Sequence, residues 1–220
     1  MSEILESGGS FTLGKPELIC RWRLAGGRLP LENRHLRALG RRRIEGDRID
    51  TALVAWAKQH IEWTLQEGAA QYPDGVLMII VDEKGQAAMT VGPYEGLAKD
   101  SLADLARRAR HAQAEGAETG VEPESLWAKR DGVLYWDAGK GTTPSGAASL
   151  VEDLARTLGI PLERREGLLD EVKADPTSFE EAFLVSDEYG IVVAGDAAGE
   201  EGARFATGYD RLLQKARNRR

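Results

Sequence analysis

Residues 141–165 read GTTPSGAASLVEDLARTLGIPLERR, a loop of small residues that opens directly onto a patterned helix. Thr143 or Ser145 suits the N-cap of that helix, because a hydroxyl there accepts a free backbone N–H, and Pro144 suits its first turn. Gly159 stands just past the predicted helix end, where glycine is favoured, and the strand IPLERRE follows. The N–H groups at a helix start also attract anions. The loop is therefore a candidate phosphate cradle as well as a good helix start.

Strands and helices interleave along the whole chain. Alternating apolar and polar side chains, or short apolar runs between turn signals, predict strands, and apolar side chains at spacings of three and four predict helices. Turn signals at DEKG, RDG and DEYG predict three hairpins. The predicted strands cover residues 18–24, 76–81, 86–91, 125–129, 133–136, 160–166, 181–186 and 191–195. The predicted helices cover residues 30–43, 47–66, 100–115, 145–158, 167–175 and 202–217.

This order of elements predicts an α/β fold with α+β character, made of two lobes. Hairpins make neighbouring strands antiparallel, so the sheets are predicted to be mixed rather than purely parallel. We expect a flexible N-terminus over residues 1–16, an N-terminal lobe over 17–98, a connecting helix over 99–118 and a C-terminal lobe over 119–220.

The helix predicted over residues 47–66 carries a stripe of large side chains at spacings of four and three. Such a stripe is typical of the face that a helix turns to the core. We therefore interpret its two tryptophans as core residues and its histidine as a core-edge residue rather than a catalytic one. The stripe comprises Ile49, Leu53, Trp56, His60 and Trp63.

The composition is that of a globular protein, since 42% of the 220 residues are hydrophobic and 30% are charged. A formal net charge of −7 argues against general nucleic-acid binding. Cys20 is the one cysteine, so no intramolecular disulfide can form, and we expect a cytoplasmic protein without a membrane span. The sequence has no nucleotide-binding glycine motif and no spacing of cysteine and histidine that suits zinc.

Four segments follow one another along the chain: WRLAGGRLPLENRHLRAL, SLWAKRDGVLYW, TPSGAASLVEDLARTLGIPLERR and FEEAFLVSDEYGIVVAGD. They resemble the class IV aminotransferases, the pyridoxal-phosphate (PLP) fold type that includes branched-chain and D-amino-acid aminotransferases and aminodeoxychorismate lyase. The resemblance spans roughly residues 17–215. It implies a two-lobed fold with mixed sheets, a homodimer with its site near the interface, and transaminase or lyase chemistry on a small amino compound.

The resemblance also implies a lysine that forms a Schiff base with PLP and a carboxylate that keeps the pyridine nitrogen protonated. Lys99 is the lysine indicated, because it precedes a predicted helix that ends in a Gly-Ala pair. The alternative is a solvated lysine beside a helix start. Glu122 is the carboxylate indicated, with Glu124 as a near competitor and an ordinary surface glutamate as the alternative.

The phosphate contacts implied by the resemblance fall on less suitable residues. The loop at the helix start corresponds to Gly146 and Ala147, whose backbone N–H groups can bind an anion although the family hydroxyl is absent. A second family threonine falls at Asp187, whose carboxylate would repel a phosphate. Ser186 stands beside Asp187 and is the substitute that the resemblance offers.

The arginine of the family's N-terminal motif falls at Ala38 by strict count. Arg37 lies one position earlier, and one step along a helix turns a side chain by about 100°. Arg37 is nevertheless the arginine indicated for the phosphate.

Two functions are open on these grounds. In the first, the protein is a PLP-dependent transaminase or aminodeoxychorismate lyase-type enzyme that uses the residues named above. In the second, the chain keeps the fold without the cofactor and serves as a binding or assembly module. We expect no metal, nucleic acid or membrane in either function.

Overall fold

The computed structural model describes residues 13–218. Most of the predicted flexible N-terminus, residues 1–12, lies outside the described residues. The helices are α1 (Glu32–Leu39), α2 (Thr51–Gly68), α3 (Leu102–Thr119), α4 (Gly146–Thr157), α5 (Leu168–Ala174) and α6 (Glu200–Asn218). The strands are β1 (Pro16–Arg23), β2 (Arg43–Ile44), β3 (Asp47–Arg48), β4 (Val76–Asp82), β5 (Ala87–Gly92), β6 (Glu124–Arg130), β7 (Val133–Trp136), β8 (Leu162–Arg164), β9 (Glu181–Ser186) and β10 (Gly190–Val193).

The N-terminal sheet is antiparallel, with strand order β1-β4-β5. Successive side chains of a strand point to opposite faces, so every second residue of β1 and β4 faces the same core. That face packs against α1 and α2. Its buried side chains are Leu18, Cys20, Trp22, Leu77, Ile79 and Val81. The strand predicted over residues 18–24 and the hairpin of β4 and β5 are confirmed.

The sequence prediction for α2 is wrong at its start and in assigning Trp63 to the core. Residues 43–48 form the short hairpin of β2 and β3, and Asp50 caps α2 by accepting the Ala52 N–H at 3.0 Å. The helix buries Ala57 and Ile61 most completely, and the stripe residues Leu53 and Trp56 pack partly buried against the same core. Trp63 is 52% exposed, because a side chain two positions from Ile61 is turned about 160° from the buried face.

The C-terminal sheet is mixed, with strand order β10-β9-β6-β7-β8 and a parallel pair only between β7 and β8. One face packs against α4 and α6, where Phe183 shares a buried cluster with Val151 and Phe205. The other face packs against α3 and α5, where Leu184 shares a cluster with Leu105. Helices on both faces of a mixed sheet confirm the predicted α/β fold class.

The helix of residues 141–165 is confirmed as α4. Ser145 is its N-cap, and the Ser145 hydroxyl accepts the Ala148 N–H at 3.2 Å. The chain turns after the helix at Gly159, whose φ of 70° lies in the left-handed region that glycine adopts easily. Both signals act within a few residues, which is why the sequence alone located them.

The two sheets meet where α1 packs against α4 and where the end of β1 approaches Asp187, just after β9. The Arg23 N–H donates to the Asp187 carbonyl at 3.0 Å across this junction. The division into lobes at residues 98 and 118 stays a prediction. Over residues 13–218, none of the helices combines the length and hydropathy that a membrane crossing needs.

Candidate functional site

The N-terminus of α4 is buried and already holds a carboxylate. The Ala147 N–H donates to Asp187 Oδ1 at 2.8 Å, and Asp187 is only 3% exposed. The first N–H groups of a helix carry partial positive charge and lack partners within the helix, so they bind anions. Asp187 therefore supplies the anion at this helix start. The resemblance assigns the same position to a cofactor phosphate.

His35 of α1 approaches the same carboxylate from the N-terminal sheet. Its Nδ1 lies 3.5 Å from Asp187 Oδ2, and its ring stacks on Trp22 with centroids 5.0 Å apart. His35 is 1% exposed. A Cβ at Gly146 would overlap the His35 ring, so the glycine allows α1 to approach α4. We call His35, Gly146, Ala147 and Asp187 the Asp187 cluster.

The Asp187 cluster holds a fixed negative charge. Burial acts to raise the pKa of Asp187, but His35, the Ala147 N–H and Arg42 outweigh burial and hold that pKa below its ordinary value. Arg42 is itself buried and pairs with Glu115 Oε1 at 3.0 Å. Asp187 is thus ionised at neutral pH.

Ser186 precedes Asp187 and belongs to a separate network, because neighbouring residues of a strand face opposite sides. The Ser186 hydroxyl donates to Glu124 Oε1 and accepts the Tyr189 N–H, both at 3.0 Å. Glu124 also accepts two bonds from the Arg108 guanidinium, at 2.8 and 3.0 Å. These side chains line a cleft of about 200 Å³ between β1 and α3.

Glu122 lies beyond the C-terminal end of α3 in an enclosed site of its own. It accepts the Gly139 N–H and, at 3.3 Å, the Thr142 hydroxyl, and it packs against the backbone of Gly116. Burial, with a smaller contribution from nearby Asp137, raises the pKa of Glu122 to about 7. Glu122 therefore holds its proton to a higher pH than an exposed glutamate does.

Lys99 and Arg37 are both exposed and lie apart from these groups. Lys99 precedes the N-terminus of α3, whereas Glu122 follows its C-terminus. The helix has 18 residues and is therefore about 27 Å long, so the structure does not bring Lys99 and Glu122 together. Arg37 points to solvent from α1, while its neighbour Ala38 is buried.

Sequence reasoning placed Gly146, Ala147 and Asp187 in one region, but it missed His35. A usable signal was present, since His35, Leu36 and Leu39 share the buried stripe of α1 at spacings of one and three. A histidine on such a stripe needs a polar partner inside the protein. Within residues 13–218, no three side chains of histidine, cysteine, aspartate or glutamate are grouped so as to hold a metal ion.

No protein-family profile matches the sequence, and no curated protein matches it. Solved structures do match in fold. A 4-amino-4-deoxychorismate lyase from Pseudomonas aeruginosa has 14% identity and a TM-score of 0.55, with 88% of this chain and 90% of that chain covered. A fold IV transaminase from Curtobacterium pusillum has 15% identity and a TM-score of 0.57, with 96% and 91% covered.

A hypothetical aminotransferase from Mycobacterium tuberculosis, solved in a PLP-bound form, has 16% identity and a TM-score of 0.56. The match covers 98% of this chain and 96% of that chain. Identities this low carry the fold and not the activity, because sites rather than folds determine function. The chain has the class IV aminotransferase fold.

Proposed function

We propose that this protein keeps the class IV aminotransferase fold without binding PLP and serves as a non-catalytic binding or assembly module. One observation carries the proposal: the Asp187 carboxylate accepts the Ala147 N–H at the start of α4. The position that the resemblance assigns to a cofactor phosphate is filled by a side chain of the protein itself.

Electrostatics oppose a phosphate at this position. A phosphate monoester carries close to two negative charges at neutral pH, and the lowered pKa of Asp187 keeps the carboxylate charged. Two unit charges about 4 Å apart repel by about 4 kcal/mol at an effective dielectric constant of about 20. Phosphate binding would therefore require Asp187 to leave His35 and the helix start.

The remaining residues indicated by the resemblance support the same proposal. Lys99 lies at the other end of α3 from Glu122, and Arg37 is exposed. The Ser186 hydroxyl is engaged with Glu124. A Schiff-base enzyme needs these groups to converge on one small molecule.

The competing function is a PLP-dependent transaminase or lyase that acts on a small amino compound as a cytoplasmic homodimer. It is supported by the fold and by the PLP-bound aminotransferase from Mycobacterium tuberculosis. This function requires Lys99 to approach Glu122 and requires Asp187 to give up the α4 N-terminus.

An absorbance spectrum of the purified protein, before and after incubation with PLP, separates the two functions. We expect a colourless protein, no aldimine band after PLP addition, and no cofactor fixed to Lys99 by borohydride reduction. The matched control is Lys99→Ala, which should give the same spectra as the wild type, and a known fold IV transaminase serves as the positive control. A yellow wild type whose aldimine band disappears in Lys99→Ala would overturn the proposal.

A further inference from the structure

A groove on the outer face of the C-terminal part lies between α3 and α5. Its volume is about 490 Å³, which is within the range of small-molecule sites, about 300–1,000 Å³. The cleft between β1 and α3 is smaller, and its charged groups are largely paired with one another. The side chains that line the groove are Leu102, Ala103, Ala106, Arg107, Arg110, Leu169, Asp170, Val172, Lys173 and Pro176.

The floor of the groove is apolar and continuous with the protein core. Leu102, Leu169 and Val172 belong to the buried cluster beneath the C-terminal sheet. Ala103 and Ala106 stand on the side of α3 that faces the groove, and their short side chains leave the space open. A hydrocarbon group placed there would bury apolar surface, which favours binding.

The rim of the groove is basic although the whole chain has a formal charge of −7. Arg107 pairs with Asp104 and Arg110 pairs with Asp170. The side chain of Lys173, on α5, makes no hydrogen bond or ion pair to any residue in the range 13–218. Asp104 and Asp170 offset the charges of the two arginines, and Lys173 leaves one net positive charge at the rim, which favours an anion.

We propose that this groove binds a single-chain amphiphilic carboxylate, with the hydrocarbon chain on the floor between α3 and α5 and the carboxylate at Lys173. The inference does not depend on the absence of PLP, because the groove shares no residue with the Asp187 cluster. If the protein fails to bind carboxylates, the proposed function is not affected. If the protein proves to bind PLP, the proposal for the groove is not affected.

Isothermal titration calorimetry of decanoate binding tests the proposal. Decanol and decyltrimethylammonium are the comparison probes, since they have a hydrocarbon chain of the same length and different head groups. We expect decanoate to bind most tightly, decanol about three- to tenfold more weakly, and the cation most weakly. The preference for decanoate should shrink in high salt, since the head-group contact is exposed. Equal or tighter binding of the cationic amphiphile, or no binding of decanoate, would overturn the proposal.

Two variants assign the binding to the groove. Ala103→Phe fills the groove and should weaken decanoate at least tenfold, whereas Ala114→Phe, exposed on the same helix about 16 Å further along, should bind as the wild type does. Lys173→Glu should weaken decanoate three- to tenfold and leave decanol unchanged. Circular dichroism confirms that each variant is folded. Unchanged decanoate binding in Ala103→Phe would place the ligand elsewhere and contradict the proposal.

Discussion

Helices α4 and α6 begin in the same way and are anchored differently. Glu181, the first residue of β9, accepts the Gly202 N–H at 2.9 Å and the Glu201 N–H at 3.3 Å at the start of α6. Asp187, just after β9, accepts the Ala147 N–H at the start of α4. In both cases a carboxylate of one strand occupies the position at which a helix N-terminus could bind an external anion.

The two carboxylates differ in where their cationic or polar partners come from. Glu181 faces Lys129 of the adjacent strand β6, with Nζ 3.7 Å from the carboxylate. Asp187 faces His35 of α1, the helix that packs against the N-terminal sheet. Glu181 therefore holds one helix within the C-terminal part, while Asp187 also joins the two parts of the molecule. The same kind of helix-start contact is thus local at α6 and joins two parts of the molecule at α4.

The largest difference is expected between Asp187→Asn and Glu181→Gln. Both substitutions keep an oxygen that can accept the helix N–H. Removing a buried carboxylate costs up to about 3–5 kcal/mol, whereas the loss is nearer 1 kcal/mol where the group opposite keeps a second partner, as Lys129 keeps Glu201 at 3.5 Å. We expect Asp187→Asn to fall in the first range and Glu181→Gln near the second. Urea unfolding of both variants measures the free energy of unfolding. Equal losses would show that the contact with His35 adds nothing.

Glu122 extends the comparison, because folding raises the pKa of this carboxylate, whereas it lowers the pKa of Asp187. Its pKa rises from 4.5 to about 7 on folding, so between these values the folded state binds a proton that the unfolded state lacks. Stability should fall by up to about 3 kcal/mol as the pH rises through this window, and Glu122→Gln should remove most of that fall. Urea unfolding at several pH values measures it.

Asp187 is the control for that experiment, because its pKa is lowered on folding. Its contribution is present above the ordinary carboxyl pKa and is lost as the pH falls below it. Asp187→Asn should therefore flatten the acid limb of the stability profile and leave the fall due to Glu122 in place. A wild-type profile without any fall between about pH 5 and pH 7 would contradict the assignment to Glu122.

The smallest expected effect is a coupling energy at the α4 start. Gly146→Ala would push the His35 ring away from Asp187, so its cost should not add to that of Asp187→Asn. We expect a coupling of about 1 kcal/mol in a double-mutant cycle. Gly199→Ala, which meets Glu181 at the start of α6, is the matched control and should add to Asp187→Asn within about 0.5 kcal/mol. Additivity at both helices would remove the distinction between them.

Sequence reasoning succeeded where the signal is local. Ser145 and Gly159 mark the ends of α4 by capping and turn chemistry within a few residues. It failed at the start of α2, because Glu45 and Gly46 adopt positive φ values of 52° and 89° and turn residues 43–48 into a hairpin. An acidic residue before an apolar pattern fits a helix start at Asp47 as well as at Asp50.

The candidate site was predictable only in part. The resemblance placed Asp187 beside the start of α4, and its charge indicated a conflict with phosphate. The resolution of that conflict depends on His35, which lies on helix α1 against the N-terminal sheet and is distant in sequence. Spacing along a chain carries no information on such a contact, and the same limit applies to the opposite ends of α3 at which Lys99 and Glu122 lie.

Strand β9 also fixes the spacing between the two carboxylates that bind the starts of α4 and α6. Glu181 and Asp187 are six positions apart, about 20 Å in an extended strand, and the even spacing keeps both side chains on one face. One inserted or deleted residue would turn one carboxylate to the other face and leave a helix start without its anion. We expect changes in length among relatives of this chain to avoid β9. A glutamate and an aspartate at this spacing would then identify relatives in which one strand supplies the anion at the starts of both helices.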